Sequence, residues 1–161
     1  MIRIGNGIDM HRFDTEAGGK AIVLGGISIP HKHALLAHSD GDVLTHALMD
    51  ALLGALALGD IGQHFPDTDE KYRGVSSMSL LDEVMNKVHD AGWQLGNADI
   101  TVVAQAPRLS PHIESIRNSL AAGMNVAVDL LSVKATTSEG LGFTGRGEGI
   151  AVFATVLLNK P

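Results

Sequence analysis

Between Asp42 and about Leu58, Leu44, Ala47, Leu48, Ala51, Leu52 and Ala55 recur every three or four positions, the spacing of a helix with one apolar stripe. The preceding SDGD, residues 39–42, offers short polar side chains of the kind that cap a helix N-terminus. The same period predicts a second helix from about Ser76, in SSMSLLDEVMNKVHDAG, stopped by Gly92, and a third in SPHIESIRNSLAAGM, residues 110–124. Alternation of apolar with other positions predicts strands in MIRIGNGIDMHRF (1–13), KAIVLGGISIP (20–30), NADITVVAQAP (97–107), LLSVKATT (130–137) and IAVFATVLLNK (150–160). The first two read as an opening pair. GDIGQHFPDTDEKYRGV (59–75) and the glycine-rich EGLGFTGRGEG (139–149) have no period and read as loops.

Strands and helices interleave, so the expected class is α/β, more narrowly an α+β two-layer sandwich with a mixed β-sheet and three main helices packed on one face. At 161 residues, with no internal repeat or linker, the chain is expected to be one domain over 1–161. A hydrophobic fraction of 45% is enough for a core without disulfides.

Composition narrows the chemistry. Cysteine is absent, so thiolate metal sites are excluded and any metal must be held by histidine and carboxylate. No apolar stretch reaches the roughly 18 residues of a membrane span, so no membrane association is expected and the protein reads as cytoplasmic. A net charge of -6 with 12 Lys and Arg gives no footprint for nucleic acid, while a small anion held at a local metal site stays open.

Candidate ligands lie in two segments. Asp9 and His11, two apart on a predicted strand, point to one face, although by themselves they read first as a polar strand end facing water. Asp42, His46 and Asp50 form a polar stripe on the first helix, free of Lys, Glu or Gln; a solvated face is the plain alternative. If the strand end docks beside that helix, Asp9, His11 and His46 make a two-histidine, one-carboxylate set with a vacant position, as in catalytic zinc sites. Asp42 and Asp50 are then expected to accept the imidazole N–H that the metal does not use. His38 and Ser39 precede the helix where backbone N–H groups favour an anion; capping by Ser39 or Asp40 is the plain reading and is compatible with it. Asp60, Asp67 and Asp69 fit either ligand loops or ordinary turns. Thr136, Thr137, Ser138 and Glu139 offer hydroxyls and a carboxylate suited to phosphate and a hard ion. GLGFTG, residues 140–145, matches a dinucleotide fingerprint literally, but a strand rather than a helix follows it, which excludes that reading.

In the order GIDMH, AHSDGDVLTHALMDALLGALALGDIG, FPDTD and VKATTSEGLGFTGRGEGIA, these segments resemble the 2-C-methyl-D-erythritol 2,4-cyclodiphosphate synthase family over nearly the whole chain. The length is similar to that of the stand-alone enzymes. The resemblance implies a lyase of the non-mevalonate isoprenoid pathway. It closes 4-diphosphocytidyl-2-C-methyl-D-erythritol 2-phosphate into the cyclic diphosphate and expels CMP. It further implies zinc at Asp9, His11 and His46, and Mg or Mn bridging the substrate diphosphate at Glu139. His38, Thr136 and Glu139 are the implied catalytic residues. His38 and Ser39 would contact phosphates, with Thr136, Thr137 and Ser138 orienting the diphosphate. Asp60, Ile61 and Gly62, with Phe65, Pro66, Asp67, Thr68 and Asp69, would line the methylerythritol pocket. Ala104, Gln105, Ala106, Pro107, Arg108, Leu109 and Ser110 would hold cytosine. Phe143 and Arg146 would belong to the closing segment.

The implied assembly is a homotrimer with intersubunit active sites and an apolar channel that holds an isoprenoid diphosphate. Asn6 stands where the family commonly has His, with an expected effect on hydrogen bonding near Asp9, and Arg108 stands where Lys is usual. Two other readings fit the residues: a metal-dependent phosphodiesterase acting on nucleoside diphosphate esters, and a phosphate-ligand binding module without turnover.

Overall fold

The computed structural model of the protein describes residues 1–160. Its frame is a five-stranded mixed sheet of order β4-β1-β7-β5-β6, built from β1 (Ile2–Asp14), β4 (Ala34–Leu35), β5 (Gln94–Val103), β6 (Leu131–Thr136) and β7 (Gly149–Asn159). β7 runs antiparallel to both β1 and β5, and β5 is parallel to β6. Strand alternation sets the two faces. Ile150, Val152, Ala154, Val156 and Leu158 of β7 are buried, whereas Phe153 is exposed and faces Ile8 across the pair.

The long helices cover the buried face. α1 (Val43–Ala55) lies along β1 and β7, α4 (Ile113–Met124) covers β6, and α3 (Ser77–Asp90) packs against both helices. α1 meets β1 at backbone distance because β1 carries Gly5 and Gly7 on its inward side. A Cβ at Gly5 would overlap the Ala51 carbonyl oxygen, and one at Gly7 the Ala47 carbonyl oxygen. Gly7 is followed at the same-facing positions by Asp9 and His11, and Ala47 is preceded by His46. The glycine contact therefore sets the register that brings these three side chains together.

The predicted helices and strands recur with two differences. α1 ends at Ala55 rather than near Leu58, with Ala57 at φ 56 turning the chain away. Residues 20–30 do not pair with β1: they form a separate hairpin, β2 (Ala21–Leu24) with β3 (Ile27–Pro30). Its turn residues Gly25 and Gly26 sit at φ 58 and 76, the left-handed region that a two-residue hairpin turn requires. The expected opening pair is thus corrected: β1 pairs with β7 along its length and with β4 only at Phe13 and Asp14.

Within the predicted loop 59–75 lie one turn of α-helix, α2 (Ile61–His64), and a 3-10 turn, Glu70–Tyr72. The glycine-rich loop holds the single-turn α5 (Gly142–Gly145) before β7. The two chain ends lie side by side, with Ile2 opposite Asn159 and the Lys160 N–H donating to the Met1 carbonyl at 3.2 Å. The outer sheet face carries a row of exposed apolar side chains, Ile2, Ile4, Ile8 and Met10 of β1 and Phe153 of β7. Among the described residues no helix is long and apolar enough to cross a membrane.

Candidate metal and phosphate site

Asp9 and His11 project from β1 toward the first turns of α1, where His46 meets them. One ligand atom from each of the three lies within 4.8 Å of the others. Asp9 Oδ2 is 3.2 Å from His46 Nδ1 and 3.5 Å from His11 Nδ1. His11 Nδ1 is buried with no hydrogen-bond partner. An orphaned imidazole nitrogen beside a carboxylate and a second imidazole is what a tetrahedral N/O metal site with one open position leaves when its ion is removed, so the donor set fits zinc.

Burial disfavours charge on both rings. At His11 it prevails and lowers the pKa despite Asp9; at His46 the hydrogen bond and charge of Asp9, with Asp42 and Asp40 behind, outweigh it and raise the pKa.

The solvated-stripe reading of α1 is overturned, because Asp42 is fully buried and His46 is 8% exposed. The expected roles of Asp42 and Asp50 as imidazole acceptors are also overturned. Asp42 is the helix N-cap: it accepts from Thr45 N (3.0 Å), Thr45 Oγ1 (2.8 Å), Gly25 N (2.9 Å) and Gly26 N (2.8 Å), tying the hairpin turn to α1. Neither Ser39 nor Asp40 is the cap. Asp50 accepts from Ile61 N at 2.8 Å, and burial raises its pKa. The partner of His46 Nε2 is Ser77, at 2.9 Å. The sequence reading missed Ser77 because it reads as an ordinary helix start 31 positions from His46.

A cleft of about 330 Å³ opens over the trio, lined also by His38, Ser39, Ile61, Gly62, Phe65 and Asp67. Leu36, Ala37, Met49, Tyr72 and Leu80 complete it; none of these five was expected, since apolar wall residues carry no sequence signal of their own. Tyr72 packs edge-on against Phe65, ring centroids 5.3 Å apart. Pro66, Thr68, Asp60 and Asp69 belong to the same loops but do not line the cleft. Asp60 and Asp69 cap local turns, accepting from Gln63 N and Lys71 N at 3.0 Å.

The remaining expected residues lie elsewhere. Ala104, Gln105, Pro107, Arg108, Leu109, Ser110, Thr136 and Thr137 line a second cleft of about 340 Å³, with Ala106 in the same loop. The two clefts share no lining residue. Ser138 donates to the Leu141 carbonyl (2.6 Å) and lies 2.7 Å from Thr144 Oγ1; exposed Glu139, at φ 55, is not gathered with the trio. Phe143 lies in α5, and exposed Arg146 pairs with Glu148 at 2.8 Å. Asn6 points to the outer sheet face and donates to the Ala154 carbonyl (3.1 Å) and Thr155 Oγ1 (3.3 Å), so its expected influence on Asp9 is corrected: odd and even positions of β1 face opposite ways. Arg108 donates to Ser110 Oγ at 2.9 Å.

Against known proteins, residues 2–159 match the model of the YgbB family. The chain is 61% identical over 157 residues to a 2-C-methyl-D-erythritol 2,4-cyclodiphosphate synthase of Pseudomonas aeruginosa (strain UCBPP-PA14), 98% of either chain being covered. It is 60% identical to the synthase so named from Azotobacter vinelandii, with the same coverage. Among solved structures, a 2C-methyl-D-erythritol-2,4-cyclodiphosphate synthase in its CDP-bound form superposes with a TM-score of 0.88 at 41% identity, over 98% of this chain and all of that one. The CDP complex of the Plasmodium falciparum IspF superposes at 0.86 with 35% identity, over 99% and 97%. The bifunctional IspDF of Campylobacter jejuni superposes at 0.94 with 43% identity; all of this chain is covered, and it spans 43% of that one.

Proposed function

The chain belongs to the YgbB family, and from that membership we propose which of its residues carry the family's reaction. The protein is a phosphorus–oxygen lyase that converts 4-diphosphocytidyl-2-C-methyl-D-erythritol 2-phosphate to 2-C-methyl-D-erythritol 2,4-cyclodiphosphate with release of CMP, a step of non-mevalonate isoprenoid synthesis. An oxygen of the substrate's 2-phosphate forms a bond to the β-phosphorus, and the bond from that phosphorus to the oxygen of the α-phosphate breaks, so CMP leaves with the electron pair. Neither water nor a protein nucleophile enters the balance, and the task left to the protein is positioning and charge stabilisation.

The observation that carries the residue assignment is the convergence of Asp9, His11 and His46, with His11 Nδ1 left without a partner. Asp9, His11 and His46 would hold a zinc-like ion, and Glu139 would help hold Mg or Mn. Bound there, the two ions supply Lewis acidity at the β-phosphate and neutralise charge on departing CMP. His38 and Ser39, at the rim of the same cleft, contact phosphate oxygens, and Phe65 with Asp67 and Ile61 enclose the methylerythritol. Thr136 and Thr137 orient the diphosphate, and the 104–110 loop holds cytosine, in keeping with the CDP carried by two solved relatives.

One substrate has to reach both clefts, and within one chain they are separate. We therefore propose a homotrimer in which the second cleft of one subunit completes the first cleft of its neighbour. The exposed apolar row on the outer sheet face supports this, because large apolar patches on a soluble protein mark contact surfaces. The channel so enclosed, with Phe143 and Arg146 near its mouth, takes an isoprenoid diphosphate in the same proposal. A cytoplasmic location, in line with the cysteine-free sequence, completes it.

The test is ³¹P NMR of the protein with substrate and Mg²⁺, with and without a chelator. Expected are CMP and two coupled ring-diphosphate resonances, both lost on chelation. Open-chain phosphates beside CMP would indicate a hydrolase, and binding without turnover a binding module; either overturns the assignment.

A further inference from the structure

His46 is held from behind by α3. Ser77, in the first turn of that helix and fully buried, donates its hydroxyl to Asp40 Oδ1 at 2.6 Å. Asp40 is itself fixed by two backbone donors, Ser77 N at 2.8 Å to Oδ2 and Asp42 N at 3.1 Å to Oδ1. A carboxylate can only accept, so the one hydroxyl proton of Ser77 is committed to Asp40. What Ser77 Oγ presents to His46 Nε2, 2.9 Å away, is a lone pair. Nε2 therefore carries the hydrogen. Ser39 Oγ, 3.4 Å from the same nitrogen, is too distant to replace Ser77.

The other face of the ring follows. With the hydrogen on Nε2, the neutral imidazole turns the lone pair of Nδ1 toward Asp9 Oδ2, 3.2 Å away, and the partnerless His11 Nδ1 lies 3.5 Å from that oxygen. In the neutral ring that lone pair faces the Asp9 carboxylate beside His11, so the three side chains present ligand atoms around a point where a cation can be held.

We infer that the Asp40–Ser77 pair is a positioning device that locks His46 in the Nε2–H tautomer and presents Nδ1 as its metal-ligating atom. This rests on the metal site proposed above and deepens it. Neither residue touches the metal or the substrate; both act through the ring of His46. Outer partners of metal-bound histidines commonly set tautomer and orientation, and their loss weakens metal binding about 10- to 100-fold.

Two variants and one spectrum test it. Ser77→Ala removes the acceptor for Nε2–H. Asp40→Ala removes the acceptor that commits the Ser77 hydroxyl, which is then free to donate to Nε2 and favour the opposite tautomer. Zinc affinity is measured by competition with a chromophoric chelator at fixed pH, and folding by circular dichroism. The tautomer of His46 is read in the zinc-loaded wild-type protein from two-bond ¹⁵N–¹H correlations. Expected are losses of about 10- to 100-fold in zinc affinity for both variants with folding retained, and a wild-type ring bearing hydrogen on Nε2 and metal on Nδ1. A ring with hydrogen on Nδ1 overturns the inference even where a variant fails to fold, as do two folded variants that bind zinc like the wild type. A wild-type protein that binds no zinc overturns the metal site itself and this inference with it.

Discussion

Gly7→Ala should damage the protein out of proportion to one methyl group. The added Cβ would overlap the Ala47 carbonyl oxygen and crowd the Ala51 backbone nitrogen. These are helix backbone atoms, unable to rotate aside as a side-chain tip would, so strand and helix must separate. Overpacking of a core costs about 1–3 kcal/mol, and a rigid obstacle belongs at the upper end. At about 2–4 °C per kcal/mol for a chain of this size, a loss of about 3 kcal/mol lowers Tm by about 6–12 °C. The same movement draws Asp9 away from His46, so zinc affinity should fall together with stability.

Gly54 supplies the control from the other side of the same contact. A Cβ there meets only the Asn6 carbonyl oxygen, at an ordinary 3.9 Å, and within a helix alanine is favoured over glycine by about 0.5–1 kcal/mol. Gly54→Ala should therefore leave Tm unchanged or raise it by about 1–4 °C. Scanning calorimetry and zinc titration of both variants decide the matter. Were Gly7→Ala to melt within about 2 °C of wild type, or Gly54→Ala to lose as much as Gly7→Ala, the close approach would not govern the register of the site.

The raised pKa of His46 gives opposite pH trends with and without metal. In the metal-free protein its pairing with Asp9 stabilises the fold fully below the ordinary value of 6.5 and fades as pH rises through the raised value, whereas zinc needs the ring neutral, so affinity should weaken as pH falls through that value; equal zinc affinity at pH 5 and pH 8 would contradict this. Ile8→Asp puts a charge into the exposed apolar row of β1 and should give a monomer without turnover in native mass spectrometry and product assays; an intact, active trimer would remove this face from the assembly.

What the sequence made legible was periodic or local. α1, α3 and α4 follow from apolar spacing, and Asp9 with His11 from strand alternation. His46 was readable as polar but not as buried: α1 is enclosed on nearly all sides, and its polar positions look outward only if one assumes a solvated face. The outer contacts of the site escaped for a different reason. The acceptor for His46 lies 31 residues away, the donors to Asp42 from Gly25 and Gly26 lie 17 and 16 residues away, and such partners are fixed by how α3 and the hairpin dock. The hairpin itself had a local signal, Gly-Gly between two apolar runs, that the reading of residues 20–30 as one strand passed over. The separation of the two clefts follows from tertiary packing alone, since the 104–110 loop and Thr136 sit at the ends of neighbouring parallel strands away from β1.

The meeting of Met1 and Lys160 makes the polypeptide nearly a closed ring. The carbonyl of one end takes the N–H of the other, and the terminal strands run the length of the sheet as partners. A short bridge there would complete the circle, and the chain could then be cut in the exposed turn after β1 without unpairing a strand of the main sheet. Ile2 lies seven residues from Asp9, about 24 Å at the strand rise. Met1 and Lys160 therefore meet at the edge remote from the metal ligands, and the bifunctional Campylobacter jejuni protein holds a module of similar fold within a longer polypeptide.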